Sequence, residues 1–164
     1  MKKFIWLSIG IFFSINLAAQ DDRQKRYTKV PGGYLMVLRQ GDSIINRIEE
    51  LAVKENIPSA GFTGLGFAGY VKFGFFDAQT KQFIPKEIRD VELAGINGSI
   101  AWENNKPSIH LHAVAGDKNL QSYSGHVLSA AVGTGSVEIM ITVYTKKLQR
   151  KKDAEIGANV LEVE

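Results

Sequence analysis

The stretch Ser108-Ile-His-Leu-His-Ala-Val114 alternates along its length, with both histidines on one side and Ile, Leu and Ala on the other. A period of two residues is typical of a β-strand, because successive side chains point to opposite faces of a sheet. Turn signals and the same period predict further strands at residues 34–38, 70–76, 88–102, 126–132, 137–144 and 159–163. The sequence therefore predicts a domain built mainly of strands.

One helix is predicted within this pattern. Gly41-Asp42 is expected to open it, with the Asp42 carboxylate accepting hydrogen bonds from the amides of the first turn. Asn56 and Pro58 are expected to end it. One helix among six or more strands, joined by short connections, predicts an α+β fold with a mostly antiparallel sheet. The predicted helix has one apolar face, formed by Ile44, Ile45, Ile48, Leu51 and Ala52.

Residues 1–19 have the three-part pattern of a secretory signal peptide. Lys2 and Lys3 precede an apolar run of fourteen residues, and we expect cleavage after Ala19. An uncleaved anchor is the alternative, although the run is short for a membrane span. The sequence therefore predicts a periplasmic or secreted protein with no membrane span after cleavage. A flexible lead-in at residues 20–32 and one domain at 33–164 are expected to follow.

Composition and charge exclude several kinds of site. The 164 residues include no cysteine, which excludes a disulfide scaffold, a cysteine-based zinc finger, an iron–sulfur site and a cysteine nucleophile. Loss of Lys2 and Lys3 lowers the formal net charge from +3 to +1, and a near-neutral domain is a poor general binder of nucleic acid. A local basic cluster is interpreted as a solvated turn; it comprises Lys146, Lys147, Arg150, Lys151 and Lys152.

The segment Gly64-Leu-Gly-Phe-Ala-Gly69 fits the Gly-x-Gly-x-x-Gly pattern of dinucleotide-binding loops. Those loops deliver a phosphate to the N-terminus of a helix, whereas the residues after Gly69 have the period of a strand. We therefore interpret these glycines as bulges or close approaches in a bent sheet.

The three histidines of the chain, His110, His112 and His126, lie within seventeen residues. If the strand that carries His110 and His112 pairs with the strand that begins at His126, three imidazoles converge. Such a set suits zinc or a similar divalent ion with an open fourth position, filled by water, Glu92 or Glu138. Binding is expected to weaken below about pH 6.5, where imidazole becomes protonated. Hydrogen-bonded sheet histidines without a metal are the alternative.

A distributed set of motifs resembles the plants-and-prokaryotes-conserved (PPC) domain over residues 33–164. The resemblance implies an α+β fold with one main helix, assembly as a homotrimer, and metal binding at the three histidines. The matching motifs are Leu38-x-x-Gly41-Asp42, the Gly64 and Gly66 region, Val91-Glu92-Leu93-x-Gly95-x-x-Gly98-x-Ile100, Pro107-x-x-His110-x-His112, Gly125-His126-Val127, Glu138-Ile139 with Thr142, Arg150 and Gly157.

Three functions remain open at this point. The first is an exported, metal-binding trimer with an unknown small-molecule ligand or a metal-dependent activity, for which Glu92 or Glu138 would be the candidate general base. The second is a DNA-binding or regulatory module, as bacterial members of the family are often described. The sequence lacks the Arg-Gly-Arg-Pro hook of plant members, so tight DNA binding is not expected. The third is a purely structural assembly domain.

Overall fold

Long strands form most of residues 25–163, the part of the chain that the structure, a computed structural model, describes. The predicted signal peptide lies outside this part. The α+β prediction, with one helix and a mostly antiparallel sheet, is confirmed. The elements are β1 (Tyr27–Val30), β2 (Gly33–Arg39), α1 (Ile44–Lys54), β3 (Ser59–Asp77), β4 (Gln82–Glu103), β5 (Lys106–Gly116), β6 (Ser122–Tyr144), β7 (Gln149–Lys152) and β8 (Asn159–Glu162).

The four longest strands pair in a closed circuit. β3 lies between β4 and β6, and β5 also pairs with both β4 and β6. β2 pairs with the second half of β6, which is continuous through residues 126–144 where two separate strands were predicted. β7 joins β4 through a parallel bridge between Trp102 and Gln149, and β8 pairs with β7. The first half of β6 is therefore held directly beside β5.

Helix α1 covers β5 and β6 with the apolar face that the sequence predicts. Its buried side chains are Ile44, Ile48, Leu51 and Ala52. Asn56, with a φ of 51°, follows its end as expected. Within residues 25–163, no helix combines the length and the apolar character that crossing a membrane requires.

Asp42 was predicted to cap the helix, and this is wrong. Ser43 is the N-cap, and its Oγ accepts a hydrogen bond from the Asn46 amide at 3.5 Å. The Asp42 side chain is instead buried, at 3% exposed, and forms ion pairs with Arg26 at 2.6 Å and with Arg47 at 2.9 Å. An aspartate between two arginines is stabilised as a buried anion, which outweighs its use as a cap.

Part of the predicted flexible lead-in at residues 20–32 is ordered as β1, which pairs with β2. The Tyr27 ring packs edge-on against Tyr34, with centroids 5.8 Å apart. Both hydroxyls donate hydrogen bonds to Glu55 just after the helix, at 2.7 and 3.1 Å. These contacts join residues far apart in the sequence, so the local pattern of a short polar segment does not reveal them.

The glycine-rich segment forms part of β3, as its interpretation as a bulge predicts. The register of β3 against β4 shifts between Gly64 and Gly66. Gly66 has a φ of 146°, a conformation that residues with a Cβ rarely adopt. The strand continues beyond Gly69, so no helix begins where a dinucleotide-binding loop would need one.

Candidate metal centre

Strand pairing brings the three histidines together, as the sequence predicts. His112 on β5 is the direct register partner of His126 on β6, and His110 lies two residues from His112 on the same face. The ring centroids form a nearly equilateral triangle with sides of 5.1, 5.2 and 5.3 Å. One nitrogen from each ring lies within 4.8 Å of the others.

The residues present fit a divalent ion. Zinc–nitrogen bonds of about 2.0–2.1 Å need nitrogens within about 4 Å of one another, so the rings must draw inward from 4.8 Å. In the described part of the chain, no protein group forms a hydrogen bond with any of the three imidazoles, which leaves their nitrogens available to a ligand. This observation disfavours the alternative of hydrogen-bonded sheet histidines.

The surroundings of His126 and His110 favour neutral imidazole, the form that binds metals. Burial lowers the pKa of His126 to about 4, with further lowering by His110, His112 and Arg150. Partial burial also lowers the pKa of His110, and the positive charge of Arg150 adds to that effect. The expectation that metal binding weakens below about pH 6.5 stays a prediction, and at His126 the lowered pKa shifts competition from protons to lower pH.

An aromatic wall supports His126 from one side. The Phe83 ring stacks on the His126 ring, with centroids 4.8 Å apart and planes 11° apart. Phe76 packs edge-on against Phe83 at 5.3 Å. Both phenylalanines come from the hairpin of β3 and β4, so this hairpin fixes the orientation of His126.

The three histidines face a cavity of about 910 Å³. Its lining includes the apolar side chains of Phe73, Phe83 and Ile84, together with Tyr123 and Arg150. The volume lies within the range of about 300–1,000 Å³ that is usual for small-molecule sites. The cluster therefore opens onto a space large enough for an organic ligand.

The basic cluster is a solvated turn only in part: its four lysines are exposed as predicted, but β7 runs through it and one member is buried. Arg150 on β7 is only 8% exposed, and its Nη2 donates a hydrogen bond to Ser99 Oγ at 2.7 Å. Ser99 is the register partner of His110, so Arg150 reaches the histidine site through β4. The Lys147 ammonium lies over the Trp102 ring at 4.5 Å. The sequence of the basic cluster does not reveal that Arg150 is buried, because its burial depends on contacts with β4.

Neither carboxylate proposed as a fourth ligand joins the cluster. Glu92 lies opposite Gly116, four residues along β5 from His112, or about 13 Å at strand spacing. Glu138 lies opposite Val37 on β2, in the far half of β6. Both glutamates are exposed, so the premise that their charges are costly in apolar strands is also wrong. A water molecule or an external ligand remains for the fourth position.

The closed antiparallel sheet and the three converging imidazoles define a small, strand-rich domain with a candidate metal centre. A profile of the Plants and Prokaryotes Conserved (PCC) domain, the family abbreviated PPC above, matches residues 9–145. The chain belongs to this family. None of the curated proteins matches it significantly.

Solved structures agree with this assignment. A protein from Ralstonia eutropha, provisionally described as DNA-binding, is 52% identical, with a TM-score of 0.83 over 85% of this chain and 96% of its own. A second protein with that provisional description, from Bacteroides thetaiotaomicron, is 25% identical, with a TM-score of 0.78 over 83% and 95%. A metal-containing protein from Archaeoglobus fulgidus shares the fold at 24% identity, with a TM-score of 0.72 over 79% and 91%.

Proposed function

We propose that this protein is an exported, metal-binding homotrimer that holds one zinc ion per chain at His110, His112 and His126. The observation that carries the proposal is the convergence, beside a cavity, of three imidazoles that no other group within residues 25–163 engages in a hydrogen bond. Zinc is the first candidate because it favours imidazole ligands and is redox-inert, although imidazole also accepts nickel, iron and copper.

The chain's own residues would position the ion and keep its ligands unprotonated. β5 presents two imidazoles from one face, and β6 presents the third from the register position opposite His112. The stacked Phe83 ring limits rotation of His126. A zinc ion with three imidazole ligands leaves a fourth position and lowers the pKa of a bound water toward about 7. Whether a reaction follows depends on the ligand that enters the cavity.

Titration of the purified, metal-stripped protein with zinc tests the proposal. Calorimetry should give one zinc per chain for the unaltered protein. The His112→Ala variant should bind at least about 100-fold more weakly, because loss of a ligand costs at least as much as loss of a supporting contact. The Lys106→Ala variant, changed at the exposed start of the same strand, should match the unaltered protein. Equal zinc binding by His112→Ala would contradict the proposed ligand set.

Self-association is supported by a mostly apolar strip on the outer surface of the sheet, which includes the exposed carboxylate of Glu138 between its apolar side chains. Leu65, at 57% exposed, and Met140 lie on the same face of the neighbouring strands β3 and β6. Leu35 and Val37 extend the strip onto β2 and are half-buried. Exposed apolar strips of this kind are typical of interfaces between protein chains. Assembly of copies through this strip would cover it.

Export is supported by the signal-peptide pattern at residues 1–19. Mass spectrometry of the protein from its native cell envelope should give a chain that begins near Gln20. Recovery of chains with an intact Met1 from the cytosol would contradict this part of the proposal.

DNA binding is the competing function, favoured by the provisional description of the Ralstonia eutropha relative. The basic cluster was its main support, but Arg150 is buried, which leaves the four exposed lysines of the cluster as candidates for phosphate contacts. We therefore expect only weak, strongly salt-dependent binding to duplex DNA. A titration at physiological salt that gives nanomolar, sequence-specific affinity would favour the competing function.

A further inference from the structure

We propose that the cavity beside the histidines binds a small carboxylate with an apolar body, and that Arg150 holds the carboxylate group. The inference deepens the proposed function, since it names the class of ligand that would share the cavity with the metal. Its contact with Arg150 does not depend on the metal, so the two proposals can fail separately.

The first observation is a buried positive charge that forms no salt bridge with any residue between 25 and 163. The Arg150 side chain is 8% exposed, and its Nε is buried without a hydrogen-bond partner. In residues 25–163 its guanidinium forms no salt bridge; its recorded side-chain partner is the neutral hydroxyl of Ser99. Burial lowers the pKa of Arg150 and the field of Glu103 raises it, but arginine stays charged in proteins. A buried charge of this kind is costly until an anion pairs with it.

The second observation is the sign of the charges around the cavity. Lys81, Lys86 and Lys152 line it together with Arg150, and none of the described residues that line it is Asp or Glu. Lys86 lies over the Tyr123 ring at 5.1 Å, which directs its charge along this wall. A bound divalent ion would add further positive charge. The cavity therefore attracts anions.

The third observation is the apolar part of the cavity lining, which distinguishes a carboxylate with an apolar body from a bare inorganic anion. Phe73, Phe76, Phe83 and Ile84 come from the hairpin of β3 and β4, and Ile109 comes from β5. Inorganic phosphate has no apolar part to bury against these side chains. A planar guanidinium also matches the two oxygens of a carboxylate. A ligand with a carboxylate at one end and a ring or short chain at the other matches both the charged and the apolar parts of the lining.

Arg150 lies beyond residue 145, where the family match ends. It reaches the cavity because β7 pairs with the end of β4, through Trp102 and Gln149. Ser99, on the same strand β4, then anchors its guanidinium beside His110. The carboxylate contact is therefore made by the terminal strands, whereas the histidines lie within the matched region.

Calorimetric titration of the full chain with three probes tests the inference. Benzoate carries a carboxylate on an apolar ring, benzamide is its neutral counterpart, and inorganic phosphate is an anion without an apolar part. Benzoate should bind the metal-free protein at least about tenfold more tightly than either other probe. It should bind the zinc-loaded protein more tightly still, because the ion adds positive charge. Equal binding of benzoate and benzamide, or tighter binding of phosphate, would overturn the inference.

Two matched variants locate the contact. Arg150→Gln should weaken benzoate binding by about 10- to 100-fold, the usual effect of losing hydrogen bonds to a charged group. Arg39→Gln removes the same charge from an exposed position on β2 and should leave benzoate binding unchanged. Both variants should keep one zinc per chain. Unchanged benzoate affinity in a folded Arg150→Gln protein would overturn the assignment of Arg150, and the comparison of probes on the unaltered protein stands even if that variant does not fold.

If the unaltered protein binds benzoate through Arg150 but takes up no zinc, the metal proposal fails and the carboxylate inference holds. If it takes up zinc but does not prefer benzoate over benzamide, the carboxylate inference fails alone.

Discussion

His112 and His126 face each other as direct partners across the antiparallel pair of β5 and β6, although fourteen positions separate them in the sequence. Directly opposite residues have Cβ atoms about 4.5–5.5 Å apart, so strand pairing alone brings these two imidazoles into contact. The alternation of β5 adds His110 on the same face. The three rings are therefore organised by the sheet before any ion binds.

Zinc should stabilise the folded protein, because an ion that binds only the folded state shifts the unfolding equilibrium. At free zinc about 100-fold above the dissociation constant, the free energy of unfolding should rise by about 2.7 kcal/mol. A chelator should reverse the gain, and His110→Asn should abolish it. Thermal denaturation with and without zinc measures this. A zinc-independent midpoint for the unaltered protein would argue against a specific site.

Burial should keep His126 neutral in the metal-free protein down to acid pH. NMR titration of its ring protons should give a pKa of about 4. Because the pKa is depressed relative to about 6.5 in the unfolded chain, the stability it contributes is complete above pH 6.5 and is lost as pH falls toward 4. Phe83→Ala should raise this pKa by exposing the ring, whereas Phe75→Ala, at a side chain 74% exposed, should leave it unchanged.

Removal of the Asp42 carboxylate should destabilise the fold strongly. Asp42→Ala leaves Arg26 and Arg47 without their shared anion, and loss of one partner from a buried ion pair costs about 3–5 kcal/mol. Glu50→Gln, which removes the exposed partner of Arg47, should change stability by less than about 1 kcal/mol. Urea denaturation of both variants provides the comparison. If the two variants lose similar amounts of unfolding free energy, burial of the Asp42 ion pairs does not contribute to stability as expected.

The same carboxylate gives stability a defined pH dependence. Burial by itself would raise the pKa of Asp42, but hydrogen bonds from the Arg39 amide and the side chains of Arg26 and Arg47 outweigh it and lower the pKa. The contribution is therefore complete above the unfolded pKa of about 3.9 and is lost as pH falls through the lower folded value. In acid unfolding experiments, the Asp42→Ala variant should lack the part of the pH dependence that comes from this carboxylate.

Gly98→Ala should disturb both the sheet and the zinc site. A Cβ at Gly98 would meet the carbonyl oxygen of His110 and the Phe62 ring, so the backbone that carries His110 must move. We expect a loss of about 1–3 kcal/mol in stability together with weaker zinc binding. Gly116→Ala is the control, because a Cβ there meets nothing within 4 Å. If both variants bind zinc like the unaltered protein, the close packing behind His110 does not hold the ligand in place.

The outer apolar strip should mediate trimer formation. Light scattering at micromolar concentration should give three times the mass of one chain. Met140→Lys places a charge in the strip and should shift the mass toward that of a monomer, whereas Val53→Lys on the exposed side of α1 should not. A monomeric mass for the unaltered protein would contradict the proposal.

Sequence patterns predicted the elements whose signal is local. The period of two located most strands, and the spacing of Ile44, Ile48 and Leu51 located the helix. The short sequence distance between the three histidines predicted that their side chains meet. The patterns missed features that depend on distant partners. Asp42 and Arg150 are charged residues, and their burial depends on Arg26, Arg47 and Ser99, which come from other segments. The strand β1 likewise depends on contacts with Glu55 that no local period reveals.

The parallel bridge between Trp102 and Gln149 has a consequence for how this fold can diversify. The histidines that would bind the ion lie on β5 and β6, whereas Arg150, which would bind the organic ligand, lies on β7. β7 joins the sheet at the end of β4. With the proposed roles, a change within the last twenty residues would alter the preference for the organic ligand without touching the three imidazoles.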